Sequence, residues 1–144
     1  MAIVLDASVA CTWLFQDEAT PETDQIARDV ANVGAFVPPL WQVEVTNVLL
    51  QALARQRITR DQVDAAVALL RRMNVQASPY TSDAARLVEL GAQHRLTAYD
   101  ALYLDNALAL NANLATLDND LRRAAEAEGV ALLPVSVSKA PDNR

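Results

Sequence analysis

The sequence predicts an α/β domain built on a mainly parallel sheet. Apolar runs of strand length alternate along the chain with longer segments of helical periodicity, which is the pattern of strands joined by crossover helices. The 144 residues are 52% hydrophobic, enough for one domain with a single sizeable core. We therefore expect one domain over residues 1–137, followed by a flexible polar tail over 138–144.

The first third of the chain has the pattern of a strand, two helices and a second strand. Ala2–Leu5 is short and entirely apolar, which suits a strand buried on both faces. Helical periodicity follows at Ser8–Phe15 and at Pro21–Asn32, and a Thr-Pro pair opens the second of these helices. The run Ala35–Pro39 predicts a strand closed by two prolines.

The middle of the chain predicts two long helices and a third strand. Leu40–Arg55 carries large apolar residues at spacings of three and four, as an amphipathic helix does. A capping-box pattern from Thr59 to Gln62 opens a helix that runs to about Met73. Val75–Ser78 is a plausible strand.

The last third continues the alternation of helices with strands. Ser82 is the expected cap of a helix that ends near His94. The remaining elements are a helix at Ala98–Leu110, a strand at Leu114–Leu117, a helix at Leu121–Glu128 and a strand within Val130–Val135.

Composition and charge exclude several functional classes. Twelve basic and 18 acidic residues give a net charge of −6, which provides no overall attraction for nucleic acid or anionic membranes. The single cysteine, Cys11, excludes an intrachain disulfide framework and a thiolate zinc cluster. No stretch is long and apolar enough to span a membrane, and the N-terminus makes a poor signal peptide, so we expect a cytoplasmic protein.

Two acids follow predicted strands directly. Asp6 comes after the first strand and Asp118 after the fourth, and ligands bind beyond the carboxyl ends of strands in open parallel sheets. Each has a hydroxyl two residues away, Ser8 and Thr116. Because alternate residues of an extended chain point to one side, Thr116 is placed to hydrogen-bond Asp118 or a metal-bound water.

Two further acids interrupt apolar helix faces. Glu44 lies among apolar residues of the long helix, with Asn47 on the same side, and Asp100 opens the helix "AYDALYL". Each acid alone has an ordinary explanation, such as a cap or first-turn position for Asp6 and Asp100 and a solvated position for Glu44. Four converging carboxylates would repel one another, and a divalent cation is the simplest remedy. Oxygen ligands alone suit Mg²⁺ or Mn²⁺.

Four motifs occur in order over nearly the whole chain. The stretches "VLDAS", "WQVEVTNVL", "TAYDALYL" and "LATLDNDL" resemble those of the PIN-domain ribonucleases and, within them, the VapC toxins of bacterial toxin–antitoxin pairs. The resemblance implies a three-layer α/β/α sandwich with a mainly parallel five-stranded sheet. It also implies an acidic site for Mg²⁺ with Mn²⁺ as a substitute, RNA as substrate, homodimerisation, and a cognate VapB-type antitoxin that inserts a segment toward the active site.

The family's functional positions carry over residue by residue. Its catalytic acids fall on Asp6, Glu44, Asp100 and Asp118. Of these, Asp6, Asp100 and Asp118 are the implied metal ligands, and Glu44 would orient or deprotonate the attacking water. The supporting polar positions fall on Ser8, Asn47 and Thr116.

Other charged residues depart from the family's pattern or extend it. Asp105 and Asp120 are additional acids that either tune metal binding or are simply solvated. Arg122 and Arg123 follow the fourth motif, and arginine pairs well with phosphate, so they are the candidates for RNA contact. The family pattern also suggests the surface over Leu40–Met73 as a dimer or antitoxin contact.

Two other functions fit part of the pattern. An aspartyl-nucleophile phosphatase also has an aspartate after its first strand, but it usually has a second acid two residues later and a lysine near the phosphate. Here position 8 is serine, and the only lysine is Lys139. A degenerate PIN domain that binds RNA or protein without cutting is the second alternative, although the presence of all four acids argues against it.

Overall fold

The structure, a computed structural model, describes residues 1–137. Within these residues five short strands alternate with seven α-helices, and a 3-10 helix (Gln16–Glu18) follows the first of them. In chain order the elements are β1 (Ile3–Leu5), α1 (Ala7–Thr12), α2 (Pro21–Val33), β2 (Ala35–Val37), α3 (Leu40–Ala54), α4 (Arg60–Arg72), β3 (Val75–Ala77), α5 (Ala84–His94), α6 (Ala98–Ala109), β4 (Asn113–Ala115), α7 (Asn119–Ala127) and β5 (Leu132–Leu133).

The sheet has the strand order β3-β2-β1-β4-β5, and every pairing is parallel. Val4 in the central strand lies between Phe36 of β2 and Leu114 of β4. This confirms the predicted α/β fold with a five-stranded parallel sheet. Because the strands are parallel, their carboxyl ends meet at one edge, which brings the residues after β1 and β4 together.

The core lies around the central strand. All three residues of β1 are buried, as the uninterrupted apolar run Ile3–Leu5 predicts for a strand covered on both faces. α3 packs Trp41 and Val45 into this core, and its next buried residue, Leu49, belongs to a smaller cluster with Phe15. The spacing of four between these three residues places them on one side of the helix.

Several predicted boundaries were wrong, and side-chain hydrogen bonds account for three of them. α7 begins at Asn119 rather than Leu121, because the Asp118 carboxylate accepts the Leu121 N–H. α5 is capped by Asp83 rather than Ser82, because the Asp83 carboxylate accepts the Arg86 N–H at 3.1 Å. β4 ends at Ala115, and the Leu117 N–H goes to the Ser8 hydroxyl at 3.0 Å. α1 ends at Thr12, three residues before the predicted end at Phe15.

Residues 138–144, the predicted flexible tail, lie outside the described residues. Among the helices of residues 1–137, none combines the length and apolar content needed to cross a bilayer.

Candidate active site

Asp6 lies where β1 ends, at the sheet edge. It occupies the N-cap position of α1, yet its carboxylate caps nothing. Instead, Asp6 Oδ2 accepts hydrogen bonds from Ser8 Oγ at 2.8 Å and Thr116 Oγ1 at 2.7 Å. The capping explanation for Asp6 is therefore wrong, and its buried carboxylate links the ends of β1 and β4.

The two hydroxyl groups are held in place by the backbone that follows β4. Ser8 Oγ accepts the Leu117 N–H, and Thr116 Oγ1 accepts the Asp118 N–H at 3.1 Å. Each hydroxyl therefore uses its single proton on Asp6 and an acceptor lone pair on the backbone. Thr116 thus contacts Asp118 through the main chain, and its carboxylate partner is Asp6.

The two carboxylate oxygens of Asp118 have different surroundings. Its Oδ1 accepts the Leu121 N–H at 2.9 Å, which caps α7. Its Oδ2 accepts no hydrogen bond from any described residue and is available to a ligand. Asp120 is a first-turn acid of the same helix and pairs with Arg123 at 3.0 Å.

Asp100 projects from the first turn of α6 without a hydrogen-bond partner for its carboxylate in residues 1–137. Thr97, not Asp100, caps this helix, since its hydroxyl accepts the Asp100 N–H at 3.2 Å. Burial raises the pKa of Asp100 to about 6, and the charges of Asp118, Asp6, Glu44 and Asp120 add to this effect in that order. The structure therefore gathers all four predicted acids into one cluster, which Asp120 joins.

Glu44 of α3 is held by a residue that the sequence analysis missed. The Tyr103 hydroxyl donates to Glu44 Oε1 at 2.6 Å, and the Tyr103 side chain is fully buried. Tyr103 lies three residues after Asp100, on the same side of α6. That spacing could have indicated that Tyr103 lies near the acids, but a tyrosine in an apolar helix is usually a core residue.

The cluster is electrostatically unfavourable as it stands. Burial raises the pKa of Asp6, and the charge of Asp118 raises it further, while the two hydroxyl hydrogen bonds oppose the shift. Burial also raises the pKa of Glu44, with the charge of Asp6 adding and the Tyr103 hydrogen bond opposing. No arginine or lysine charge contributes to the shifts of Asp6, Glu44 or Asp100.

The donor set fits a hard divalent cation. All its ligating atoms are carboxylate or hydroxyl oxygens, the preferred ligands of Mg²⁺ and Mn²⁺. The described residues contain no group of three or more His, Cys, Asp and Glu side chains already spaced as a metal site. The raised pKa values and the unpaired oxygens of Asp100 and Asp118 nevertheless indicate carboxylates that a cation would stabilise.

The remaining predicted residues lie in different places. Asn47 lines an open cavity beside Glu44. Arg122 donates to the carbonyls of Thr116 at 2.8 Å and Pro134 at 2.7 Å, so its guanidinium tethers α7 to the chain after β5. Arg123 is exposed and, besides its ion pair with Asp120, donates to the His94 carbonyl.

Asp105 is not part of the cluster. It is 3% exposed, accepts a hydrogen bond from the Tyr80 hydroxyl at 3.0 Å, and lies 3.6 Å from Arg86. It is absent from the charges that shift the pKa of Asp100. The expectation that Asp105 is solvated was wrong, because its buried carboxylate binds Tyr80 in the loop before α5. That it tunes metal binding stays a prediction.

The profile of the PIN-domain family matches residues 3–127. The chain belongs to the PIN-domain family. No curated protein sequence matches it significantly. The PIN match covers β1 through α7, which carry all the acids of the cluster.

Three solved structures have a similar fold over most of their own length and most of this chain. PAE2754 from Pyrobaculum aerophilum has a TM-score of 0.66 at 16% identity, covering 93% of this chain and 90% of its own. VapBC2 from Rickettsia felis, bound to a DNA fragment from its promoter, has a TM-score of 0.61 at 12% identity, covering 92% and 97%. FitAcB from Neisseria gonorrhoeae has a TM-score of 0.62 at 14% identity, covering 92% and 96%. At these identities the likeness establishes the shared fold of this PIN domain.

Proposed function

We propose that this PIN domain is a Mg²⁺- or Mn²⁺-dependent ribonuclease that hydrolyses RNA phosphodiester bonds and acts as the VapC-type toxin of a toxin–antitoxin pair. The observation that carries the proposal is the uncompensated cluster of Asp6, Glu44, Asp100 and Asp118 at the carboxyl edge of the sheet. A cation that relieves this repulsion would also attract an RNA phosphate to a protein whose net charge is −6.

Each residue of the cluster has a role in this mechanism. Asp6, Asp100 and Asp118 would hold the cation, which when bound supplies charge stabilisation for the displaced oxygen and an acidified water. Ser8 and Thr116 fix the orientation of Asp6. Glu44 has one oxygen engaged by Tyr103 and one free, so the free oxygen orients or deprotonates the attacking water. The products are a 3′-hydroxyl and a 5′-phosphate.

RNA binding also requires contacts outside the metal site. Arg123 is the better candidate for a phosphate contact, because its side chain is 59% exposed, whereas Arg122 is partly buried and donates to two carbonyls. RNA binding that weakens with salt would support a phosphate contact.

The partner that we propose is a VapB-type antitoxin, and the active form is a homodimer. Two of the similar structures are VapBC2 from Rickettsia felis and FitAcB from Neisseria gonorrhoeae, which supports this class of partner. A groove of about 530 Å³ between the end of α1 and α4 has a mixed lining, in which Trp13, Phe15 and Ile58 are apolar and Asp17 and Arg57 are charged. Its α3 and α4 residues belong to the predicted contact surface over Leu40–Met73, and the groove is our candidate for the antitoxin segment. Co-purification with the product of a small reading frame directly upstream tests this pairing.

The decisive experiment compares RNA cleavage by the parent with that by Asp6→Asn. We expect the parent to cut RNA with Mg²⁺ or Mn²⁺ and to stop with EDTA, and Asp6→Asn to lose roughly 100-fold or more. Asp24→Asn makes the same change on an exposed acid of α2 and should cut like the parent. Equal cleavage by Asp6→Asn and the parent would refute the assignment.

The same assay separates the alternatives. A folded parent that binds RNA but leaves it intact with either metal would indicate the non-catalytic binding module. Release of phosphate from a phosphomonoester without RNA cuts would indicate the phosphatase. The structure disfavours the latter, because Asp6 is buried and two hydroxyl groups occupy one of its oxygens.

A further inference from the structure

An open cavity of about 650 Å³ adjoins the acidic cluster, between α3 and the first turn of α6. Glu44 contributes to its wall, and Tyr99 lies on its rim immediately before Asp100 in the chain. Anything that occupies this cavity therefore lies beside the proposed catalytic carboxylates. The mechanism proposed above does not use it, and its α3 residues belong to the surface over Leu40–Met73 that the family pattern suggests as a dimer or antitoxin contact.

The lining of the cavity includes an exposed aromatic ring and exposed apolar side chains. Tyr99 is 60% exposed, and Val43 and Leu50, on the neighbouring face of α3, are 65% and 55% exposed. The Tyr99 hydroxyl has no hydrogen-bond partner among the described residues. A tyrosine left open in this way offers a stacking face.

Polar side chains without partners surround the ring. Gln42, Thr46 and Asn47 also line the cavity, and within residues 1–137 no hydrogen bond engages their side chains. The only charged residue of the lining is Glu44. The cavity therefore suits an uncharged, planar group with hydrogen-bonding edges, and it disfavours a phosphate.

We propose that Tyr99 and the amide-bearing face of α3 form a nucleobase subsite, which binds one unstacked base of the RNA next to the cleaved bond. This inference rests on the proposed ribonuclease function. Proteins that bind single-stranded RNA commonly stack bases on aromatic rings, and polar side chains that hydrogen-bond the base edges add sequence preference. A base held here would bring the adjacent phosphate to the carboxylate cluster.

The experiment is a double-mutant cycle between the ring and the base. The parent and Tyr99→Ala are each assayed on an RNA oligonucleotide and on versions lacking the base at each position flanking the cut. For one position, removing the base should lower the kcat/KM of the parent about tenfold. The same removal should change that of Tyr99→Ala by less than about twofold. Tyr99→Phe should behave as the parent, since it keeps the ring, and so should Val33→Ala, which truncates an exposed apolar residue outside the cavity.

The outcomes distinguish this inference from the proposed function. If the parent cuts RNA but base removal and Tyr99→Ala have additive effects at every position, the subsite proposal is overturned and the ribonuclease proposal stands. An additive cycle together with loss of a dimer in Tyr99→Ala would identify the face as an interface between copies, which also overturns it. If the parent does not cut RNA, the same cycle is measured with dissociation constants, obtained by fluorescence anisotropy in the presence of Mg²⁺. Coupling between base removal and Tyr99→Ala in RNA binding would support the subsite. Additive effects on binding would overturn it.

Discussion

At the scale of single residues, Tyr103 determines how much of Glu44 is available for chemistry. Its hydroxyl engages one oxygen of Glu44 at 2.6 Å and crosses from α6 to α3 to do so. The hydrogen bond also opposes the rise in the pKa of Glu44 that burial causes. In the proposed mechanism, Tyr103 therefore acts through Glu44 as a positioning residue.

Replacing Tyr103 with Phe should lower kcat about tenfold with little change in KM, because only the hydroxyl that orients the base is lost. Without that hydrogen bond the pKa of Glu44 rises. The proposed mechanism uses Glu44 in its deprotonated form, so the acid limb of the pH–kcat profile should move to higher pH. Tyr80→Phe is the matched control, since it removes a tyrosine–carboxylate hydrogen bond outside the cluster. A kcat loss with an unmoved profile would indicate a purely structural role.

At the scale of elements, the start of α7 combines a cap with a ligand position. Asp118 ends the turn after β4, accepts the Leu121 N–H with one oxygen and leaves the other free toward the cluster. Helix α7 therefore orients this acid through its own first turn.

Two substitutions at Asp118 should separate these roles. Asp118→Asn keeps an oxygen for the cap but loses the charge, so it should lose cleavage while the free energy of unfolding stays near that of the parent. Asp118→Ala should lose cleavage and also about 1 kcal/mol of stability. Asp83→Ala removes the cap of α5 and should cost similar stability without affecting the rate. Equal stability of the Asn and Ala variants would contradict the capping role.

The sequence predicted the elements well because their signals are local. Apolar runs, the Thr-Pro entry to α2 and the capping box at Thr59 depend on neighbouring residues, and both helices have these caps. The misplaced cap of α5 shows the limit. Ser82 and Asp83 are both good caps, and only the fold decides which one faces the helix.

The site was partly predictable for a related reason. Asp6 and Asp118 follow strands, so the parallel-sheet rule places them together without coordinates. Tyr103 contacts Glu44 across 59 positions of sequence, and Arg122 binds carbonyls 6 and 12 residues away. Neither contact has a local pattern, so the sequence did not single out Tyr103 and suggested Arg122 for RNA contact.

At the scale of the whole molecule, the acidic cluster lowers the stability of the metal-free protein. The pKa of Asp100 is raised from 3.8 to about 6. A group whose pKa is raised on folding stabilises the fold while it is protonated, and this contribution disappears as pH rises through the folded-state value. The metal-free protein should therefore lose stability between about pH 4 and pH 7.

Calorimetry of the metal-free protein tests this pH dependence. Asp100→Asn should raise Tm by roughly 2–4 °C at pH 7.5 and by much less at pH 4, where the carboxyl group is already protonated. Mg²⁺ should raise the Tm of the parent at pH 7.5 by mass action and have a smaller effect on Asp100→Asn. If the Tm difference between the parent and Asp100→Asn did not change with pH, charge repulsion at Asp100 would not be its cause.

The hydrogen bond between Thr116 and Asp6 joins residues 110 positions apart, at the meeting of β1 and β4. A ribosome makes Asp6 first and Thr116 only when four-fifths of the chain exists, and β4 must enter beside β1 before the two can meet. A nascent chain thus carries Asp6 and Glu44 long before it carries Asp100 and Asp118. Prematurely terminated products that end before α6 would lack half of the acids, so only an almost finished polypeptide would become a nuclease near its own messenger RNA.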